Sequence, residues 1–402
     1  MAEITSDEVK KEKICVIGLG FVGLSTAVYF ASRGHEVVGV DRDVEKCKKI
    51  NRGESPIKEI PLLAHIKASS SPPQDMDIYF ICVPTPSNED GIDLSYLIQA
   101  CHELRDKAGE GIVVVRSTVT PGTTEKIILP AINSFNIVVN PEFLQEGSAL
   151  ANSFHPSRVV IGAEDPRLGD RIERLYDGPF IRTNWKSAEL IKYASNAALA
   201  AKISFVNEIS NIAKLLGADT KMVLQGVGTD PRFSPRYMEP GIGFGGSCLP
   251  KDLYALIKSS ERAGYNPKLL RSVYELNEEQ PKRAIELLEE RMGGLDGKRV
   301  ALLGLSFKEG VEDVRGSRSF LLVKELQRRG AQVVVYDPCE SCMDAFKRRY
   351  GNAIEYSKKP LEGTDGCIIA TPWNGIEKFL KGNVPTIFGR PYPGFKSGGL
   401  NW

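Results

Sequence analysis

The sequence predicts an α/β protein with two doubly wound parallel-sheet lobes, joined by a long central helix and a helical middle region. Three observations support this. Short apolar β-branched runs alternate with helical segments near both ends of the chain. A proline-free stretch, residues 187 to 217, has the composition of one continuous helix. A polar, glycine-rich break, MGGLDGKR at residues 292 to 299, separates that middle region from a second strand–helix–strand series. The boundaries expected are 1–186, 187–291 and 292–402.

Composition narrows the function classes. With 402 residues, 42% hydrophobic and 26% charged, this is ordinary globular material with room for several domains. A formal net charge of +1 gives no field that would draw the chain to nucleic acid or a membrane. No apolar run reaches bilayer-spanning length, and the first dozen residues are too polar for a signal peptide. Eight cysteines and four histidines suggest neither a disulfide scaffold nor a zinc cage, so no metal and a reducing cytoplasmic location are expected. Cys339 and Cys342 form a CxxC that reads as a surface turn, with a redox or metal role as the lesser alternative.

In the first lobe, ICVI reads as a buried strand, followed by Gly18, Gly20 and Gly23 in a GxGxxG pattern and then a helix. The next strand, EVVGV, ends on Asp41. A glycine fingerprint between strand and helix, with an acid about 20 residues on, is the context of a dinucleotide site, so the lobe is read as Rossmann-like. The residues expected at the cofactor are Gly18, Gly20, Phe21, Val22, Gly23 and Asp41. Asp41 suits the ribose hydroxyls of NAD and repels the 2′-phosphate of NADP, a preference that the adjacent Arg42 softens. DIYFICVPTP and GIVVVRSTVTPGTT are strands running into loops, which places Pro84, Thr85, Ser117 and Thr118 at the same edge. In PEFLQEG, Glu142 and Glu146 are four apart, and a helical turn would put both on one face.

Along the middle helix, Leu190, Ala194, Ala197, Ala201, Phe205, Ile209, Ile212 and Leu216 recur at three- and four-residue steps. This apolar stripe suggests a seam between lobes or between two copies of the chain. Lys192 and Asn196 lie four apart near its start, either as solvated polar residues or as oxyanion donors. Cys248 follows four glycines in GIGFGGSCLPKD, and Pro250 fits the first turn of a helix. Cys248 is therefore placed at a helix N-terminus, where unpaired N–H groups and the dipole favour a thiolate. A buried inert cysteine is the competing reading. Asp252 stands one turn further on.

The third segment repeats strand, helix and strand, and Asp337 ends its strand as Asp41 does, but the glycine fingerprint is broken at Ser306 and Phe307. A different nucleotide is expected there, with Lys308, Arg315 and Arg390 as candidate contacts for its phosphates or a carboxylate.

GLGFVG, STVTPGTT, NPEFLQEG, ELIKYASNA, GFGGSCLPKD and FKEGVEDVRGS occur in that order. Across nearly its whole length the chain resembles the UDP-glucose/GDP-mannose dehydrogenase family. The resemblance implies oxidation of a nucleotide-sugar alcohol to the acid, with two NAD reduced and Cys248 holding the carbon as thiohemiacetal and then thioester. It implies that Glu142 activates the hydrolytic water, that Thr118 and Asp252 orient it, and that Lys192 and Asn196 stabilise the oxyanion or help the first proton transfer. Substrate contacts implied are Glu142, Phe143, Leu144, Glu146, Lys192, Asn196, Tyr237, Gly241, Gly245, Cys248, Phe307 and Lys308, with Arg390 a weaker match. Glu146 and Arg315 would also serve the cofactor, and Arg232 would reach a neighbouring subunit. HPSRVVIG resembles the UDP-glucose branch, with GDP-mannose and N-acetylated UDP-sugars as alternatives. A homodimer or a dimer-based oligomer is expected. A single-step 3-hydroxyacid dehydrogenase would need neither Cys248 nor a third lobe, and a nucleotide sensor would need no thiol.

Overall fold

Residues 13–17 put Ile14 and Val16 on one side of a strand and Cys15 and Ile17 on the other, all four buried. Apolar residues on both faces require cover on both faces, and the computed structural model supplies it with helices above and below a mostly parallel sheet. The structure describes residues 11–380 and 384–390.

The first lobe runs β1 (Lys13–Ile17), α1 (Phe21–Ser32), β2 (Glu36–Val40), α2 (Val44–Asn51), β3 (Lys67–Ser69), β4 (Ile78–Ile81), α3 (Ser95–Arg105), β5 (Ile112–Val115), α4 (Leu129–Ile132), β6 (Ile137–Val139), α5 (Ala149–Phe154), β7 (Val159–Ala163), α6 (Pro166–Glu173) and β8 (Phe180–Thr183). The strand order is β3-β2-β1-β4-β5-β6-β7-β8. The first six strands are parallel and take the order of a dinucleotide-binding sheet. β7 joins antiparallel to β6 and carries β8 parallel beside it. One face is filled by aromatic side chains: Phe30 lies 4.9 Å from Phe80 and Tyr29 stacks on Tyr176 at 5.6 Å. Each such burial stabilises the lobe by about 1.5–3 kcal/mol.

α7 (Trp185–Leu215) is 31 residues long and is followed by α8 (Thr220–Gly228), α9 (Leu249–Arg262) and α10 (Lys268–Met292). The second sheet is built from β9 (Arg299–Leu303), α11 (Ser319–Arg328), β10 (Gln332–Tyr336), α12 (Glu340–Tyr350), β11 (Glu355–Tyr356), β12 (Gly366–Ile369) and β13 (Thr386–Phe388). Its order is β11-β10-β9-β12-β13, all parallel. Both sheets are thus doubly wound, as expected. The chain divides into two compact units, Met1–Ala194 and Ser195–Trp402, and α7 runs from one into the other. No described helix is long and apolar enough to cross a membrane.

The expected apolar stripe on α7 is only partly covered: Ala197, Ala201 and Ile209 pack on hydrophobic clusters. Leu190, Phe205, Ile212 and Leu216 are exposed, and only Ala197 of the stripe is fully buried. The buried side mixes Tyr193, Val206 and small residues with polar ones: Glu189, Lys192, Asn196, Ser204, Asn207 and Ser210. Polar groups buried in phase along a helix must be matched by specific partners.

Candidate active site

The three glycines of the first unit's loop differ in what surrounds them. Gly18 has φ +89°, and a Cβ there would lie 2.7 Å from the Cys82 carbonyl. A Cβ on Gly23 would lie 1.7 Å from the Gly18 carbonyl, so only glycine lets α1 pack on this turn. A Cβ on Gly20 would meet nothing within 4 Å, so the backbone is open at the N-terminus of α1, where Phe21 and Val22 follow. That open N-terminus fits a pyrophosphate.

Asp41 at the end of β2 accepts the Leu19 N–H at 2.9 Å, the Asp43 N–H at 3.0 Å and the Lys46 Nζ at 2.7 Å. Burial works against its charge, but Lys46 and the two N–H groups outweigh burial and hold the carboxyl below the usual range. An ionised acid at this edge selects the unphosphorylated ribose of NAD. Lys46 was not anticipated. Arg42 points to Glu103 at 3.6 Å.

The loops after β4 and β5 are tied together: Thr85 Oγ1 donates to the Thr118 carbonyl at 2.7 Å, and Ser117 Oγ donates to the Val83 carbonyl at 2.8 Å. Pro84 is exposed beside them and Thr118 is half-buried. Glu189 of α7 accepts the Gly122 and Thr124 N–H groups at 2.5 and 2.8 Å. It fixes the end of the loop that carries Thr118, and burial pushes its carboxyl up.

Glu142 and Glu146 do not share a helical face. Residues 141–145 are non-helical, because Pro141 opens the segment and Leu144 N–H turns back to Glu142 Oε2 at 2.7 Å. Glu142 is buried while Glu146 is half-buried. Lys192 is not solvated: its Nζ donates to Glu142 Oε1 at 2.8 Å, and both side chains are under 10% exposed, at 6% and 8%. Burial raises the Glu142 carboxyl, but Lys192, the Leu144 N–H and the charge of Arg116 outweigh burial, so it titrates below the usual range. Lys192 also lies 5.5 Å from the Phe143 ring, whose face Arg158 covers at 3.8 Å. Arg116, unremarked in the sequence, donates to Asn140 Oδ1 at 2.6 Å and holds the end of β6 where this segment starts.

In the second unit, Cys248 is the N-cap of α9, with Pro250 in the first turn. Among the described residues it is the exposed cysteine, and the other seven are buried. Burial pushes the Cys15, Cys82 and Cys101 thiols up to about 12. The buried reading describes those residues and not Cys248, which is exposed. Asp252 is buried one turn into α9, where its carboxylate accepts Asn196 Nδ2 at 2.6 Å and Lys251 Nζ at 2.6 Å.

The thiol loop is packed against the second sheet. Its Ile242 N–H donates to the Gly389 carbonyl at 2.9 Å, and Arg390 Nη2 donates to the Phe307 carbonyl at 3.1 Å. A Cβ on Gly241 would lie 2.5 Å from the Gly389 carbonyl, and one on Gly245 would lie 2.4 Å from the Gly316 carbonyl. Gly241, Gly245, Phe307 and Arg390 are therefore brought together. Two unanticipated asparagines clamp the loop: Asn207 accepts the Gly241 N–H at 2.7 Å, and Asn277 bonds both the N–H and the carbonyl of Phe244. Lys308 is half-buried beside Phe307. Arg315 is exposed and paired with Asp313, and Arg232 is exposed and paired with Asp230. Tyr237 is 45% exposed with φ +60°.

Asp337 repeats the Asp41 arrangement: its Oδ2 accepts the Leu305 and Ser306 N–H groups at 2.6 and 3.1 Å. Cys339 and Cys342 beside it are buried, not on a surface turn, because α12 turns them against the second sheet's core.

Comparison with known proteins agrees with this geometry. Residues 12–179 match the NAD binding domain of the UDP-glucose/GDP-mannose dehydrogenase family, residues 186–279 its central domain and residues 301–388 its UDP binding domain. A UDP-glucose 6-dehydrogenase of Haloferax volcanii is 38% identical over 90% of this chain and 91% of its own. A GDP-mannose 6-dehydrogenase of Pseudomonas aeruginosa is 38% identical over 89% of this chain and 87% of its own. The solved UDP-glucose dehydrogenase of Pyrobaculum islandicum superposes with a TM-score of 0.88 at 37% identity, covering 96% of each chain. NAD is the cofactor, a nucleotide sugar is the substrate class, and the chain belongs to the UDP-glucose/GDP-mannose dehydrogenase family.

Proposed function

We propose that the chain oxidises UDP-glucose to UDP-glucuronate in two steps on one enzyme, through covalent attachment of the sugar's C6 to Cys248. The observation that carries this reading is an exposed thiol at the N-cap of α9 in a chain whose other described cysteines are buried. A helix N-terminus favours negative charge on that sulfur. The residues from Gly18 to Gly23 and Asp41 would hold NAD, with Pro84, Thr85, Ser117, Thr118, Glu146 and Arg315 at the same cofactor. NAD, when bound, accepts the hydride of each oxidation.

The protein's own residues supply the rest. The Cys248 thiolate adds to the aldehyde carbon, giving a thiohemiacetal, and loss of the second hydride leaves a thioester. Glu142, held ionised by Lys192, takes a proton from water. The hydroxide adds to the thioester carbon, and collapse of the tetrahedral intermediate expels the Cys248 thiolate and yields the acid. Lys192 and Asn196 donate to the oxyanion of that intermediate, and Asp252 and Thr118 orient the water. Phe143, Leu144, Tyr237, Gly241, Gly245, Phe307, Lys308 and Arg390 form the nucleotide-sugar contacts, and Arg232 serves the site of a second subunit. The NAD, central and nucleotide-sugar domains are assigned to 1–186, 187–291 and 292–402. We assign a homodimer whose seam includes the outward apolar stripe of α7, since Phe205, Ile212 and Leu216 are large, exposed and in phase. A reducing cytoplasm suits a working thiolate.

The substrate is tested with UDP-glucose, GDP-mannose, UDP-N-acetylglucosamine and UDP-N-acetylmannosamine, each at equal concentration with NADH absorbance as readout. We expect kcat/KM for UDP-glucose to exceed the others by at least about 100-fold, within the range that differential contacts in a substrate pocket supply. A higher value for another sugar would reassign the substrate and leave the reaction type in place.

A further inference from the structure

The CxxC of the second unit has no part in this reaction, and its two sulfur atoms lie close together. Cys339 is the N-cap of α12, and its Sγ accepts the Cys342 N–H at 3.4 Å and lies 3.0 Å from Ser341 Oγ. The two sulfur atoms and a carboxylate oxygen of Asp337 all lie within 4.8 Å of one another. Cys342 is 1% exposed and Cys339 is 8% exposed, so the thiols differ in access. A metal is the poorer occupant of this cluster. Asp337 already accepts three backbone N–H groups, from Leu305, Ser306 and Cys339, so it offers little to an ion that needs four donors.

We propose that Cys339 and Cys342 form a reversible dithiol–disulfide pair, with Cys339 the attacking thiol and Cys342 the resolving one. The asymmetry of the site sets these roles. Cys339 has the greater access, and its Sγ sits at the start of α12, where it accepts the Cys342 N–H. Burial pushes the Cys342 thiol up, so it stays protonated until its partner has reacted. The oxidant is a small-molecule disulfide. The Cys339 thiolate forms a bond to one of its sulfurs and breaks the disulfide, releasing one thiolate, which takes up the Cys339 proton. Cys342 then loses its proton to the second leaving thiolate as its sulfur displaces that group from Cys339. One small disulfide is reduced to two thiols, and the protein dithiol is oxidised to one disulfide. The new bond links the N-cap of α12 to its first turn, beside the carboxylate that organises the loop after β9.

The test uses the full-length chain carrying Cys248→Ser, so that the exposed thiol does not compete. The folded protein is treated with oxidised glutathione, quenched with iodoacetamide and mapped by peptide mass. The expected result is a peptide holding both cysteines, lighter by two hydrogens, with no glutathione retained, and reverted by dithiothreitol. Adding Cys342→Ser should leave one glutathione on Cys339, because nothing displaces it. The first measurement decides the matter whether or not the second variant folds. Two outcomes overturn the proposal. One is thiols that remain reduced under native conditions and react only after unfolding. The other is one zinc per chain whose removal by a chelator is required before either thiol reacts.

Discussion

Cys248→Ser is expected to lower acid production by at least about a thousand-fold while NAD affinity stays within about two-fold. Serine is a good N-cap, so α9 keeps its start and the thiol loop keeps its clamp by Asn207 and Asn277. What changes is the nucleophile. A hydroxyl at this position is not ionised at neutral pH, and an ester of serine would hydrolyse through a poorer leaving group. The Gly18–Gly23 loop and Asp41 belong to the other unit and are untouched. NADH progress curves paired with an NAD titration separate the two effects. Acid formation at the normal rate would remove Cys248 from the chemistry.

Lys192→Met is expected to destabilise the first unit by about 3–5 kcal/mol and to move the acid limb of the pH–rate profile to higher pH. Glu142 is buried, and Lys192 is the largest influence keeping it ionised. Without that charge, burial dominates and the carboxyl rises above its unfolded value of about 4.3. The signs follow by linkage. In the parent, the depressed carboxyl contributes stability above about pH 4.3 that is lost as pH falls through its folded pKa. In the variant, the raised carboxyl reverses this, so stability is recovered at low pH and lost as pH rises through the new value. Adding Glu142→Gln should restore much of the denaturation midpoint at neutral pH, since the uncompensated charge is then gone. An unchanged midpoint in Lys192→Met would mean that the pair is not buried in solution.

Much of the fold was legible because both sheets depend on apolar runs that need cover on two faces. Ile14 to Ile17 and Val300 to Leu303 each send alternate residues into separate cores. The first glycine loop was legible for the same kind of reason: the turn at Gly18 and the close contact at Gly23 each exclude a side chain, and Gly20 leaves the backbone open. The errors came where a period was read without knowing its neighbours. On α7 the spacing located an apolar stripe but not its cover, and the helix turns inward a side that mixes polar residues with Tyr193 and Val206. Glu142 and Glu146 were related by a helical spacing in a segment that Pro141 keeps out of helix. Glu189, Asn207 and Asn277 were missed because a single polar residue in a helix carries no motif. A signal was present on α7, where Glu189, Lys192, Asn196 and Asn207 recur in phase with one another and out of phase with the apolar stripe.

The central claim is that one chain takes a nucleotide-sugar alcohol through aldehyde to acid without releasing the intermediate. The direct measurement is the amount of NADH formed per nucleotide sugar consumed, with substrate limiting and NAD in excess. This account predicts two, with no free aldehyde captured by an added amine. A ratio of one, with the aldehyde as product, would contradict it and leave a single-step dehydrogenase.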